Sequence, residues 1–206
     1  MIKLGVLISG SGTNLQAIID AIARGSLDAS IELVISSKPD AYGIKRAKDV
    51  SIPTIALSKA VYNEPLAADL LIATEMQNAG ADHSGVDYIV MAGYMRMVRR
   101  PILEAFPNRV VNIHPALLPA FIGAHGIADA FEYGVKITGV TVHFANDAYD
   151  RGPIIAQRAL AVAADDTLES LEERIHAIEH ELYPEVLQLL AEGRVSVDNR
   201  GKVHIE

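Results

Sequence analysis

Residues 108–126 read NRVVNIHPALLPAFIGAHG. The apolar run at 110–113 has the character of a buried strand end, and it stops at a histidine followed by proline. Beyond that point proline, glycine and alanine dominate, so the chain leaves the strand for a loop. In a parallel α/β sheet, ligands bind just outside the carboxyl ends of the strands. Asn112 and His114 stand there two residues apart, a spacing that puts both side chains on one face of a strand. A neutral amide donor beside a titratable imidazole suits a tetrahedral oxyanion and a proton transfer. The pair equally suits a plainer role, a polar strand end that ties down the turn.

Working towards the amino terminus, residues 87–92 (DYIVMA) form a second short apolar run, closed by Gly93, Tyr94, Met95, Arg96, Met97 and Val98. This loop has the groups to wall a pocket for a flat heterocycle, although Met and Tyr also serve simply to fill core. Pro101 opens a short helix between the two strands. At the start of the chain, KLGVLIS (3–9) reads as a strand buried on both faces. It runs into Gly10, Ser11, Gly12, Thr13 and Asn14, and LQAIIDAIARG (15–25) then shows helical spacing. Strand, glycine-rich turn and helix is the arrangement that aims backbone N–H groups and a helix dipole at a phosphate.

The ligand class can be narrowed. Leu15 stands where a dinucleotide fingerprint has its third glycine, and no lysine completes a Walker loop. The second strand, IELVISS (31–37), ends in serines rather than the acid that grips a ribose. A dinucleotide is disfavoured; a single phosphate monoester fits better, with Asn14 as a side-chain donor. A tight turn holding no ligand is the competing reading. A helix over 40–50, a short strand at 53–57 and a helix over 66–79 complete the first half, and the alternation predicts a doubly wound, mostly parallel α/β sheet.

Working towards the carboxyl terminus, residues 127–133 look helical. KITGVTVHF (136–144) and IIAQRALAV (154–162) are expected to pair as strands around the loop at 145–153, with Thr141 and His143 on one face. A long helix comes next, capped by Asp166 with Glu169 and expected to kink or break at Pro184. His176, Glu179 and His180 fall at i, i+3 and i+4 on it. That spacing suits a metal ion, or a solvated cluster at a pocket rim. Residues 194–206 alternate around Asp198, Asn199, Arg200 and Gly201, the signal of a terminal β-hairpin of structural role.

The chain has 206 residues, half of them hydrophobic, and a formal net charge of -8. The length suits one domain over 1–206, with a phosphate-binding half to about 100, a catalytic half over about 101–192, and the hairpin beyond. The acidic balance argues against a nucleic-acid partner. Without cysteine there is no disulfide, thiol nucleophile or zinc-thiolate site. The apolar run at 4–8 is too short for a membrane span or a signal peptide core, so a cytoplasmic protein with no membrane partner is expected.

Three stretches resemble the folate-dependent formyltransferase family: VLISGSGTNLQAII (6–19), VVNIHPALLPAFIGAHG (110–126) and GVTVHFANDAYDRGPIIAQ (139–157). EHELYP (179–184) agrees as well. The resemblance spans nearly the whole chain, and SGSGTNLQ points to the branch acting on glycinamide ribonucleotide (GAR). It implies formyl transfer from 10-formyltetrahydrofolate, as co-substrate, to the GAR amine without a metal, in a monomer or homodimer. Its catalytic residues fall on Asn112, His114 and Asp150. It implies Gly12, Thr13 and Asn14 at the GAR phosphate and Glu179 at the ribosyl or glycinamide portion. Met95, Arg96, Met97, Val98 and Asn112 are implied at the folate, and His143 in a supporting or core position. Formyl transfer to another amine, or hydrolysis of the formyl folate, is the nearest alternative reaction; a phosphate-ligand binding or regulatory protein is the alternative outside catalysis. The chain departs from the family at Ala116, where Ser is common, at Ile122, where Pro is usual, and at Arg151, where a small residue is usual. A folate-contacting arginine has no counterpart near Asn63, Glu64 and Pro65.

Overall fold

The computed structural model describes residues 1–206. Five strands run parallel: β1 (Ile2–Ile8), β2 (Ala29–Ser36), β3 (Thr54–Ala56), β4 (Tyr88–Met91) and β5 (Val110–His114). β6 (Ile137–Phe144) and β7 (Ile154–Ala161) extend the sheet antiparallel, giving seven strands in the order β3-β2-β1-β4-β5-β6-β7. The strand order reverses between β1 and β4, so the loops leaving those two strands diverge and open a crevice at their carboxyl ends. β5 lies next to β4, and its carboxyl end borders the same crevice.

Helices cover both faces of the sheet. α1 (Thr13–Ala23) and α7 (Leu168–Ala191) pack on one face, where Leu15, Ile18, Ile175, Leu182 and Leu187 join a core with Val6, Val90 and Val111. On the other, α4 (Pro65–Gln77) and α5 (Arg100–Ala105) bury Ile72, Met76 and Ile102 against Leu7, Ile35 and Ile89. Each such side chain contributes about 1.5–3 kcal/mol by leaving water. The strands between these layers are apolar on both sides, which is why they read as continuous runs rather than alternations. α2 (Tyr42–Asp49), the short α3 (Lys59–Asn63) and α6 (Gly126–Tyr133) fill the connections. β8 (Val195–Val197) and β9 (Val203–Ile205) form the terminal hairpin.

Three sequence expectations need correction. α7 runs unbroken through Pro184. The proline removes one intrahelical hydrogen bond, but Tyr183, Val186 and Leu187 around it are buried and hold the helix to the sheet. Its cap is not Asp166 with Glu169: Thr167 is the N-cap and exchanges hydrogen bonds with Ser170, while Asp166 accepts from Ala163 N and Ser170 Oγ. α3 is an addition to the expected elements, because its five residues carry too little periodicity to signal a helix.

Candidate active site

Asn112 and His114 both lie on β5, and their cross-strand partners on β6 are His143 and Thr141. Directly opposed residues share a face of the sheet, so the four side chains gather on one side. Thr141 Oγ1 donates to Ala116 O at 2.7 Å and accepts from Leu118 N at 3.0 Å, which pins the loop leaving β5. That loop turns back over the strand end, and His114 Nε2 lies 2.8 Å from Phe121 O. A carbonyl only accepts, so Nε2 carries a proton.

Asp150 arrives from the β6–β7 connection. Its Oδ2 accepts from Gly123 N at 2.9 Å and stands 3.4 Å from His114 Nδ1. Its Oδ1 lies 3.5 Å from Asn112 Nδ2 and 3.7 Å from His143 Nε2. Burial pushes the Asp150 carboxyl up, but the donors around it (His143, the Gly123 N–H and His114) outweigh burial and hold it below the usual carboxylate range. His114 therefore has an oxygen near each ring nitrogen, Phe121 O at Nε2 and the Asp150 carboxylate at Nδ1. His143 sits behind the trio. Its Nδ1 is 2.9 Å from Phe144 O and its Nε2 is 3.2 Å from Asn112 Nδ2. The Asn112 amide nitrogen is thus not free: Nδ2 lies 3.2 Å from His143 Nε2 and reaches Asp150 Oδ1 only at the 3.5 Å limit.

Asn112, His114 and Asp150 line a cleft of about 580 Å³ together with the turn Gly10, Ser11, Gly12 and Thr13. Gly12 is the N-cap of α1, left-handed at φ 70°, and no side chain caps the helix. The first N–H groups of α1 lack intrahelical acceptors, and here no side chain takes their place. A Cβ on Gly12 would stand 2.7 Å from the Gly43 Cα, so only glycine fits where the turn crosses α2. Asn14, expected to donate to a ligand, instead gives its Nδ2 to Glu179 Oε2 at 3.2 Å, linking α1 to α7. Glu179 also accepts from His176 Nδ1 at 2.9 Å. The histidine and acid trio of α7 does not converge on a point: His180 stacks on His176 at 6.4 Å and lines a neighbouring groove with Arg46 instead.

The loop after β4 contributes differently along its length. Met95 is 59% exposed at the cleft, and its N–H donates to Ser9 Oγ at 2.9 Å. Arg96, Met97 and Val98 line a small side cavity of about 40 Å³ with Asn112, Tyr149 and Asp150. Val98 also belongs to the core, and Arg96 turns away to donate to Tyr62 O at 2.9 Å, its guanidinium 4.2 Å from the Tyr62 ring centroid. Tyr94 borders both the cleft and the side cavity, a position that composition alone does not single out. Its hydroxyl and Asp69 Oδ1 are buried without partners, and burial pushes the Tyr94 phenol up to about 12. The Gly123 N–H and the Phe121 carbonyl, which hold Asp150 and His114, are equally invisible in the sequence, because a backbone group has no sequence signature.

Residues 2–187 match the sequence family described as Formyl transferase. The phosphoribosylglycinamide formyltransferase of Bacillus subtilis (strain 168) is 39% identical over 98% of this chain and 99% of its own length. That of Haemophilus influenzae is 40% identical over 95% of this chain and 90% of its own. The crystal structure of glycinamide ribonucleotide transformylase 1 from Symbiobacterium toebii superposes with a TM-score of 0.93 at 47% identity, covering 100% of this chain and 94% of that one. The chain belongs to the formyl transferase family, among the phosphoribosylglycinamide formyltransferases.

Proposed function

We propose that this chain transfers the formyl group of 10-formyltetrahydrofolate to the amine of GAR, giving formyl-GAR in de novo purine biosynthesis. The observation that supports this most is one cleft lined both by an uncapped glycine turn and by Asn112, His114 and Asp150. The GAR phosphate takes the free N–H groups at Gly12, Thr13 and Asn14. Glu179, held by Asn14 and His176, faces the ribosyl or glycinamide part. The folate lies along Met95, Arg96, Met97 and Val98, with Tyr94 as an added wall.

The amine lone pair attacks the formyl carbon, and the carbonyl oxygen becomes a tetrahedral oxyanion. Asn112 Nδ2 releases its long contact to Asp150 and donates to that oxygen, and the His114 imidazolium adds its charge. Collapse re-forms the carbonyl and breaks the bond from carbon to folate N10. The proton lost by the amine passes through Asp150 and His114 to N10, so charge and protons balance without a covalent enzyme intermediate. Holding both substrates at attack distance supplies much of the acceleration.

Purified protein given 10-formyltetrahydrofolate and, in parallel, GAR, another amine or water alone tests this reading. Formyl-GAR is the expected product. Folate turnover without an amine would replace the transferase with a hydrolase, and binding without turnover would leave a phosphate-ligand receptor.

A further inference from the structure

Glu179 is a buried carboxylate in the part of the cleft where an anion is expected. It is 4% exposed and lines the cleft together with Gly10, Ser11, Gly12 and Thr13. A buried negative charge beside a phosphate repels it unless a cation intervenes. Two cations are available there: Lys38, exposed at the lip, and His176, half-exposed on α7. Arg46 is engaged elsewhere, with its Nε on Ser11 O at 2.8 Å, Nη1 on Gln16 at 3.1 Å and its plane over Tyr42.

His176 differs from Lys38 in one respect. Its Nδ1 is committed to Glu179 at 2.9 Å, where the carboxylate can only accept. In the neutral ring the other nitrogen, Nε2, is then a lone pair, which offers a phosphate oxygen nothing. Protonation turns Nε2 into an N–H donor and adds a positive charge in the same step. Accordingly, we propose that His176 is the switchable cation of the phosphate subsite, so that a sugar phosphate binds tightly only while His176 carries both ring protons. This rests on the reading that the glycine turn holds a phosphate.

The groups facing His176 support such a switch. On its own helix the hydrogen bond to Glu179 raises the His176 pKa, burial opposes it, and the charges of Glu179 and Glu172 add to the rise; the net direction is upward. His180, stacked on it, is itself pushed down by burial, so the proton of the pair resides on His176. Asn14 from α1 is uncharged, Lys38 lies on the loop after β2, and His114 and Asp150 across the cleft pair with each other. A group with a raised pKa holds its charge below that pKa and loses it as pH rises through it, above the ordinary histidine value of about 6.5.

Phosphate monoesters reach their dianion with a second pKa of about 6. Wild-type affinity should therefore climb with the dianion and then fall as His176 discharges, whereas His176→Gln should only climb. The experiment is calorimetric binding of ribose 5-phosphate to both proteins from pH 5.5 to 9, repeated in buffers of different ionisation enthalpy. The expected result is a fall of about tenfold above the wild-type maximum, the loss of one charge-assisted contact, with proton uptake on binding that the variant lacks. Gln suits an exposed helical position, so folding is not at stake. Parallel curves for the two proteins would overturn the proposal. No binding by either protein would overturn the phosphate reading with it, while formyl transfer to GAR with parallel curves would sink the His176 role alone.

Discussion

Asp150 sits at φ 51°, a left-handed conformation that costs a non-glycine residue energy. The turn accepts that cost where it aims the carboxylate at His114, Asn112 and the Gly123 N–H together. Asp150→Asn keeps the size and tolerates the same backbone, so the thermal midpoint should move by no more than a few degrees. Formyl transfer should fall by on the order of 10³ to 10⁴, as when a carboxylate that orients a catalytic imidazole is neutralised. Near-normal turnover would remove Asp150 from the chemistry. The same variant has a pH signature. A carboxylate with a lowered folded pKa stabilises the fold above its unfolded value of about 3.9 and loses that contribution as pH falls through the folded value. Urea titrations at stepped acid pH should show this acid-side loss in wild type and a flatter limb in Asp150→Asn. At this scale the sequence singles out side chains that the structure brings together, and is poor on what each one touches. Asn112, His114 and Asp150 are identifiable from motif and residue type, but Asn14 turning to Glu179 joins positions far apart in the chain. No local pattern encodes such a pairing.

Two elements hold the site in place through contacts that leave little tolerance. In the β6–β7 connection a Cβ at Gly152 would come within 1.7 Å of Phe144 O, a backbone atom that cannot step aside. Gly152→Ala should therefore displace the turn carrying Asp150 and lower both stability and activity, in contrast to Gly25→Ala. Gly25 has open space around its Cβ direction, and its cost is confined to its φ of 72°. Comparing thermal midpoint and turnover for the pair checks the steric reading: equal losses would refute it. On α7, the Tyr183 Oη reaches Val111 O at 2.9 Å and Met91 O at 3.2 Å, pinning the helix to β5 and to the end of β4. Tyr183→Phe leaves those carbonyls short of a partner and should cost about 1–3 kcal/mol. That is a drop of several degrees at roughly 2–4 °C per kcal/mol for a chain of this size. The strands and helices themselves are readable because doubly buried strands are uninterrupted apolar runs and helices repeat their apolar residues every third or fourth position. At Pro184 local propensity forecasts a kink or a break, and burial of its neighbours keeps the helix continuous.

Across the whole molecule the cleft is a seam. Its lining is drawn from the start of α1, the loop after β4, the loops after β5 and β6, and α7. A ligand spanning it binds only the assembled fold and stabilises it by mass action, about 2.7 kcal/mol at a hundredfold excess over Kd. GAR should thus raise the thermal midpoint by about 5 °C or more. With a net charge of -8, the bulk of the protein offers an anion no attraction, so the shift should depend on the local donors and be lost with GAR lacking its phosphate. An equal shift with the dephosphorylated compound would contradict that dependence. The bond between Asn14 and Glu179 has one more implication, for how a ribosome makes this protein. The residue that completes the first-formed loop is synthesised 165 positions after it, so a nascent chain cannot capture nucleotide until α7 has left the exit tunnel. Fragments cut short ahead of that helix should be inert bystanders rather than competitors for substrate.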